Sequence, residues 1–515
     1  MSNLKKKEIF ILLLCLLVGF SLRFYTFDKK SLWIDEIHTF NDSRDDIIGQ
    51  LNFYKENPPY LHPPLFFILT HQFYPFNNPE RELRILPLIF GTLSIPMFYL
   101  LARSFSTNIA LLCTISLTFM VYHISLSQDG RAYSLIMFLG MLSIYFFMKY
   151  LKTLKKRYLV LTPLIFAILF YTSYSTIPFI SLSQILWFYQ VRQDNTKPRF
   201  YSFLIFNSVF LLLCTPWIVF LALNYQGEAL VHPHELKIFL SFRGILSNVL
   251  NDWVPFTPLT IISGILLISF IFFSKSRTNA LILLGLFILP ISGLYLFCKL
   301  FNISHFITSR YFISFLPLFL ITLYLSLNAI ENRFERLKNF MRMRLLFVIL
   351  FIVSNLVILA PYYKAEKQDF KGLVNYLKGQ LREGDKLFES EMGYTAGILH
   401  YFGVYPEGRH HSIPYYKVLE NEIEFRKSFI FRNNSYTIYC FRNCCSQYTA
   451  DGSRLWIIVG DKMAKKLKEN SPAVLKGYFD GSFLNFNKFP TDASMYLFLW
   501  DPKSPEEKGI DMLIE

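Results

Sequence analysis

Apolar residues along this chain come in runs of roughly 17–24 positions divided by short polar stretches, the length a helix needs to cross about 30 Å of hydrocarbon. The runs fall near 9–27, 83–102, 107–126, 133–151, 158–175, 177–190, 200–223, 258–274, 280–298, 312–329 and 345–362. They predict a polytopic α-helical membrane protein with about eleven transmembrane helices. The run 177–190 is short and opens near Pro178, so it and its neighbour also read as a broken hairpin. One further apolar stretch, Pro63–Tyr74, is too short to span and reads as interfacial or re-entrant.

Basic clusters sit between these runs at Lys5–Lys7, Lys152–Arg157, Arg192–Arg199, Lys275–Arg277 and Arg333–Arg344. Short loops rich in Lys and Arg stay on the cytoplasmic side. With the N-terminus cytoplasmic, the count of runs places every one of these clusters inside. It places 28–82, 127–132, 224–257, 299–311 and everything after 362 outside. Counting Pro63–Tyr74 as a span would put Lys152–Arg157 on the wrong side, so it is not counted. Lys5–Lys7 precede the apolar run Ile9–Phe24 with no small-residue cleavage site behind it, which reads as a retained first span.

After about residue 364 the texture changes. Phe370, Leu373, Val374, Leu377 and Leu381 recur at helical spacing. Short β-rich runs follow at Tyr436–Phe441 and Leu455–Val459, and Asp461–Glu469 has helical composition. The expected organisation is a membrane domain over 1–364 and a small extracytoplasmic α/β domain over 365–515. No internal repeat and no low-complexity tract is visible.

Composition agrees with a membrane protein. Of 515 residues 53% are hydrophobic and 17% charged, against about 45–50% and about 25% for soluble domains. The net charge of +15 lies largely in short loops, where it reads as membrane orientation and not as a nucleic-acid surface. Cys15, Cys113, Cys214 and Cys298 fall inside apolar runs and read as small core residues. Cys440, Cys444 and Cys445 leave room for one disulfide in an oxidising compartment, and match no common zinc spacing.

Four polar motifs sit at run ends on the side assigned as outer: Ser31-Leu32-Trp33-Ile34-Asp35-Glu36, His62-Pro63-Pro64-Leu65, Ser127-Gln128-Asp129-Gly130-Arg131-Ala132-Tyr133 and Ser309-Arg310-Tyr311. Ionisable groups at membrane depth are costly and mark functional sites by default. A single such motif reads equally as a headgroup anchor; four on one face point to a shared site.

SLWIDE, HPPL, SQDGRAYSL and SRYFISFLPLF, in that order and spacing, resemble the GT-C membrane glycosyltransferases. The nearest relatives are the bacterial and archaeal relations of the protein O-mannosyltransferases and the lipid A aminoarabinose transferase. The resemblance covers roughly 9–330 and is carried by the ordered set; QDFKGLVNYLKGQLREGDKLF after the last run resembles the tail opening of many such proteins. It implies a polyprenyl-phosphate-sugar donor, a glycan, glycolipid or protein acceptor, and a site on the outer face of the membrane.

A phosphate leaving group needs no protonation. The reaction needs a base on the acceptor hydroxyl and positive charge on the departing phosphate. Asp35 matches the family's acidic residue in the first outer loop and is the expected general base of an inverting displacement, with Glu36 supporting it by hydrogen bond or charge. The other reading of Asp35 is the N-cap of an interfacial helix starting at Glu36. Arg310 matches the family's phosphate-clamping arginine, its fork of donors suiting a pair of phosphate oxygens; a helix-end anchor is its other reading. Asp129 matches a second acidic position, and with Arg131 it either binds donor or forms a structural ion pair. Tyr133 reads as packing or a hydroxyl donor, and Tyr311 as a donor-phosphate contact.

Leu61-His62 stand where some relatives carry an acidic residue and a lysine. His62 reads either as a contact to phosphate or acceptor, or, with Asp35, as a ligand of a divalent metal ion. His232, His234, His410 and His411 show no ligand spacing. Trp253 in the loop 224–257 reads as interfacial belt before it reads as a sugar platform.

The main competing reading is a transporter or flippase of lipid-linked sugars, which would show repeated halves, broken helices and charges near the midplane. A ligase or polymerase acting on a diphosphate-linked glycan is a second alternative. A purely structural scaffold leaves the four motifs unexplained. High Phe and Lys content fits an AT-rich bacterial genome and so a bacterial inner (plasma) membrane.

Overall fold

A computed structural model describes residues 6–56, 62–189, 200–224, 241–300, 307–334, 343–389, 392–403, 429–432, 437–440, 452–482, 493–504 and 508–514. Its helices are α1 Lys6–Phe24, α2 Ile34–Asp42, α3 Ile47–Glu56, α4 Leu65–His71, α5 Pro79–Phe105, α6 Thr107–Phe119, α7 Val121–Ser127, α8 Tyr133–Thr153, α9 Lys156–Thr172, α10 Ile177–Ser183, α11 Phe200–Asn224, α12 Phe242–Trp253, α13 Thr257–Phe273, α14 Arg277–Leu300, α15 Leu316–Arg333, α16 Met343–Lys364, α17 Phe370–Gln380, α18 Met392–Phe402 and α19 Asp461–Asn470. The strands are β1 Lys386–Glu389, β2 Phe429–Arg432, β3 Thr437–Cys440, β4 Leu455–Val459, β5 Val474–Phe479 and β6 Met495–Trp500. The chain divides into two compact units. The first holds Met1–Phe27, Gln50–Gln72 and Leu83–Pro361, and the second Asp28–Gly49, Phe73–Glu82 and Tyr362–Glu515. The second unit thus takes in the SLWIDE loop as well as the tail, so it is discontinuous in sequence.

In the first unit six helices among the described residues are long and apolar enough to cross a membrane, or up to eight if each of two bent pairs is one span. About eleven were expected. The shortfall has local causes. The run 177–190 holds α10, only seven residues, about 10 Å of helix. The run 158–175 holds α9, which stops at 17 residues. α1 covers the first run but carries Lys6, Lys7, Glu8 and Arg23. The stretch Pro63–Tyr74 holds the seven-residue α4. Cys15, Cys113, Cys214 and Cys298 are free and buried, whereas Cys444 and Cys445 lie outside the described residues.

The bent pairs are α6–α7, turned by 60°, and α12–α13, turned by 106°. A break frees backbone groups that hydrocarbon cannot satisfy. Here Asn355 Oδ1 accepts the Val121 N–H at 2.8 Å, and the Thr260 hydroxyl donates to the Val254 carbonyl at 2.6 Å. Ser309–Arg333 is the most enclosed candidate span, 83% of its apolar window being buried, while Tyr201–Asn224 is 17% buried. The first therefore runs through the middle of the helices and the second presents an outer, lipid-compatible face.

The second unit is a mixed sheet in the order β2-β3-β1-β4-β6-β5. β1 lies parallel to β3 and β4, and the remaining neighbours pair antiparallel. Phe388, Leu455, Ile457, Val459, Leu475 and Phe498 form its core with Ala464 and Leu467 of α19. α17 buries Phe370, Leu373, Val374 and Leu377, the face its spacing predicts. Asp369 caps it through the Gly372 N–H at 2.8 Å.

Candidate active site

The SLWIDE loop belongs to the second unit. Helix α2 begins at Ile34, so its N-cap is Trp33 and Asp35 lies inside the first turn. Asp35 is therefore not the cap. A tryptophan side chain has no acceptor for the free amides of a first turn, and other side chains take them. Ser31 N–H donates to Glu366 Oε2 at 3.1 Å, and Leu32 N–H to the Tyr401 hydroxyl at 2.7 Å. Trp33 N–H donates to Glu36 Oε2 at 3.4 Å, and Ile34 N–H to Gln368 Oε1 at 2.9 Å. Glu36 is fully buried in this role. It closes the turn on itself, while Asp35, one residue earlier, is half-buried. The Lys367 ammonium lies 5.2 Å from the Trp33 ring centre, and Lys30 lies 3.8 Å from that of Tyr362.

Arg310 belongs to the first unit. It stands in the 3-10 turn Ser309–Phe315 that leads into α15. Its guanidinium lies 5.6 Å from the ring centre of Tyr133, the first residue of α8, and its Nε donates to Thr308 Oγ1 at 3.4 Å. The neighbouring Ser309 Oγ accepts from the Tyr122 hydroxyl at 2.9 Å. Tyr122 in turn feels the charges of Arg310 and Asp252 and the presence of Tyr133. Arg310, Tyr133, Tyr122 and Ser309 thus form one polar neighbourhood at the head of the most enclosed span. A half-buried guanidinium with a tyrosine ring beside it and the Thr308 hydroxyl at its Nε has the planar fork that suits a phosphate monoester or diester. Tyr311 follows in the same turn, half-buried.

The SQDGRAY turn connects α7 to α8. Asp129 is buried, and its carbonyl accepts the Arg131 N–H at 2.6 Å. Gln128 Nε2 donates to the carbonyls of Arg23 and Tyr25 at 2.8 and 2.6 Å, fastening the turn to the end of α1. Arg23 is itself fully buried, donating to the Gly19, Thr118 and Leu117 carbonyls and bonded to His123 Nδ1 at 2.7 Å. His62 precedes α4 and is exposed. Among the described residues no group of three or more His, Cys, Asp or Glu is placed to hold a metal ion. His232, His234, His410 and His411 lie outside them.

Sequence reasoning missed Tyr122, Asp252, Gln368 and Tyr401. Asp252 carried a signal, being a lone carboxylate beside Trp253 at the edge of an apolar run. Gln368 lies in the quoted tail opening with no mark of its role. Tyr122 and Tyr401 had none, since a Tyr in an apolar run or amphipathic helix reads as packing.

The fold is that of a polytopic α-helical protein with six to eight helices, among the described residues, long and apolar enough to cross a membrane. Residues 61–220 match the family described as dolichyl-phosphate-mannose-protein mannosyltransferase, a stretch that includes His62, Asp129, Arg131 and Tyr133 but neither Asp35 nor Arg310. ArnT from Cupriavidus metallidurans in the apo state is similar in structure, with a TM-score of 0.55 at 11% identity over 95% of this chain and 97% of that one. The same protein bound to undecaprenyl phosphate gives 0.54 at 11% identity, with the same coverage. Identity this low speaks for the fold alone. A search of curated proteins finds no match to the chain. The chain resembles the GT-C membrane glycosyltransferases in sequence over 61–220 and in fold over most of its length.

Proposed function

We propose that the protein is an inverting glycosyltransferase that moves a sugar from a polyprenyl-phosphate donor to a hydroxyl of a glycan, lipid or protein acceptor on the outer face of a bacterial inner membrane. The observation that carries this reading is the half-buried Arg310 guanidinium, held over the Tyr133 ring and bonded to Thr308 Oγ1, in the same turn as the Tyr122–Ser309 hydroxyl pair. The fold shared with ArnT, a protein seen with undecaprenyl phosphate bound, supports a lipid-phosphate ligand.

In this reaction Asp35 takes the proton of the acceptor hydroxyl, whose oxygen forms the new bond to the anomeric carbon. The bond from that carbon to the phosphate oxygen breaks, its electron pair leaving with the polyprenyl phosphate. Arg310, with Tyr311 and Arg131 assisting, offsets the charge that grows on the departing phosphate. Asp129 and Glu36 hold these groups in place. A divalent ion near His62 enters no step.

Purified protein incubated with a panel of polyprenyl-phosphate sugars and acceptors should release polyprenyl phosphate, seen by mass spectrometry. Asp35→Asn should abolish that release while inserting normally. Transfer left intact in this variant rules Asp35 out as the base. The two bent pairs favour one rival, a flippase built on broken helices. That rival translocates the lipid-linked sugar without cleaving it, so the same assay separates the two.

A further inference from the structure

Helix α2 has an unusual start. Most helices satisfy their first amides locally, through Ser, Thr, Asp or Asn at the N-cap. Here the N-cap is Trp33, and the Ile34 amide is taken by Gln368, 334 positions away. The Leu32 amide goes to Tyr401, at a separation of 369. The arrangement continues outward from there. The Tyr401 hydroxyl donates to Glu80 Oε1 at 3.3 Å, and the same oxygen receives Lys371 Nζ at 2.8 Å. Lys371 also donates its backbone N–H to Ser31 Oγ at 3.2 Å. Such a chain polarises each bond by the next and holds its members to one geometry. Glu366, Gln368, Lys371 and Tyr401 all follow the last apolar helix. The tail thus completes, at Ile34 and Leu32, the capping that Glu36 of the loop begins at Trp33.

We infer that Gln368 and Tyr401 are positioning residues for Asp35, and that the tail serves the reaction by fixing the backbone from Ser31 to Ile34 and so the direction of the Asp35 carboxylate. This rests on the reading of Asp35 as general base. A local serine cap would have stabilised α2 equally well. Capping from the tail instead makes the geometry of the base depend on that domain.

The test uses the full chain in detergent or nanodiscs, with Gln368→Leu, Gln368→Glu, Tyr401→Phe and Asp35→Asn compared side by side. Gln368→Leu removes the acceptor, Gln368→Glu keeps one, and Tyr401→Phe keeps the ring. A misplaced base lowers kcat and spares binding, so Gln368→Leu and Tyr401→Phe should each lower kcat by about tenfold or more with the donor KM within about twofold. Gln368→Glu should remain within about threefold of the parent. Amide exchange over residues 31–36 should quicken in Gln368→Leu and Tyr401→Phe and stay slow in Gln368→Glu, a readout independent of turnover. Parent-like kcat and exchange in Gln368→Leu and Tyr401→Phe, with Asp35→Asn inactive, overturn this inference and leave the proposed function standing. Full transfer by Asp35→Asn removes the base itself, and the inference with it.

Discussion

The Tyr122 hydroxyl donates to Ser309 Oγ across 2.9 Å, joining residues 187 apart in sequence. The bond ties α7, the second helix of the bent pair α6–α7, to the turn that carries Arg310. A buried hydroxyl in hydrocarbon must find a partner. The partner it finds here is the residue next to Arg310.

Tyr122→Phe keeps the ring and removes the donor. A lost hydrogen bond of this kind is worth about 1 kcal/mol, so the donor KM should rise about fivefold to tenfold with kcat within about twofold. Steady-state kinetics against the polyprenyl-phosphate sugar checks this, and an unchanged KM places Tyr122 outside the donor site.

Arg310→Lys keeps the charge and loses the planar fork. Lysine should not substitute for it: kcat/KM should fall by about 10²-fold in Arg310→Lys and about 10³-fold in Arg310→Ala. Equal activity of Arg310→Lys and the parent argues for a helix-end anchor, where any cation serves.

Gly91 faces the end of α7 so closely that an added Cβ would lie 2.1 Å from Ser127 Oγ and 2.5 Å from Ser127 Cβ. Overpacking of this sort costs about 1–3 kcal/mol. Gly91→Ala should lower the thermal midpoint and disturb the SQDGRAY turn, and adding Ser127→Gly should restore most of the loss. Additive destabilisation in the double variant shows that the two sites do not meet.

Burial in the second unit pushes His400 down from its ordinary 6.5 to about 4, against the opposing pull of Glu80. The folded state therefore holds it neutral where the unfolded chain takes up a proton. Its contribution is complete above pH 6.5 and is lost as pH falls from there toward about 4, amounting to a few kcal/mol, on the order of one to two per pH unit. His400→Phe, which keeps an aromatic ring against Phe40, should flatten the stability profile over that window in pH-resolved thermal melts. A profile of unchanged slope assigns the acid sensitivity to other groups.

Several elements were legible in advance because their signals are local. Strand β4 and helix α19 start where the β-rich run Leu455–Val459 and the polar run from Asp461 begin. The apolar face of α17 follows from a spacing of three and four. Arg310 and Tyr133 were each singled out as motif residues, and the structure brings them together. The spans were harder. Run length sees apolarity but not the helix breaks at Met120 and at Val254–Phe256, which depend on Asn355 and Thr260 to satisfy the freed backbone. Nor does it see that the run 177–190 is broken by a turn at 184–185, after the seven residues of α10.

What the sequence by itself determined is the membrane character of the chain, the positions of its apolar helices and the residue types at its polar turns. Hydrophobicity and helical period act over a few neighbouring positions. What only the tertiary structure decided is partnership: Tyr122 with Ser309, the Asp35 turn with Gln368 and Tyr401, and Gln128 with the end of α1. Those pairings arise because polar groups withdrawn from water must bond to whatever packing sets beside them, and packing joins segments that no local pattern connects.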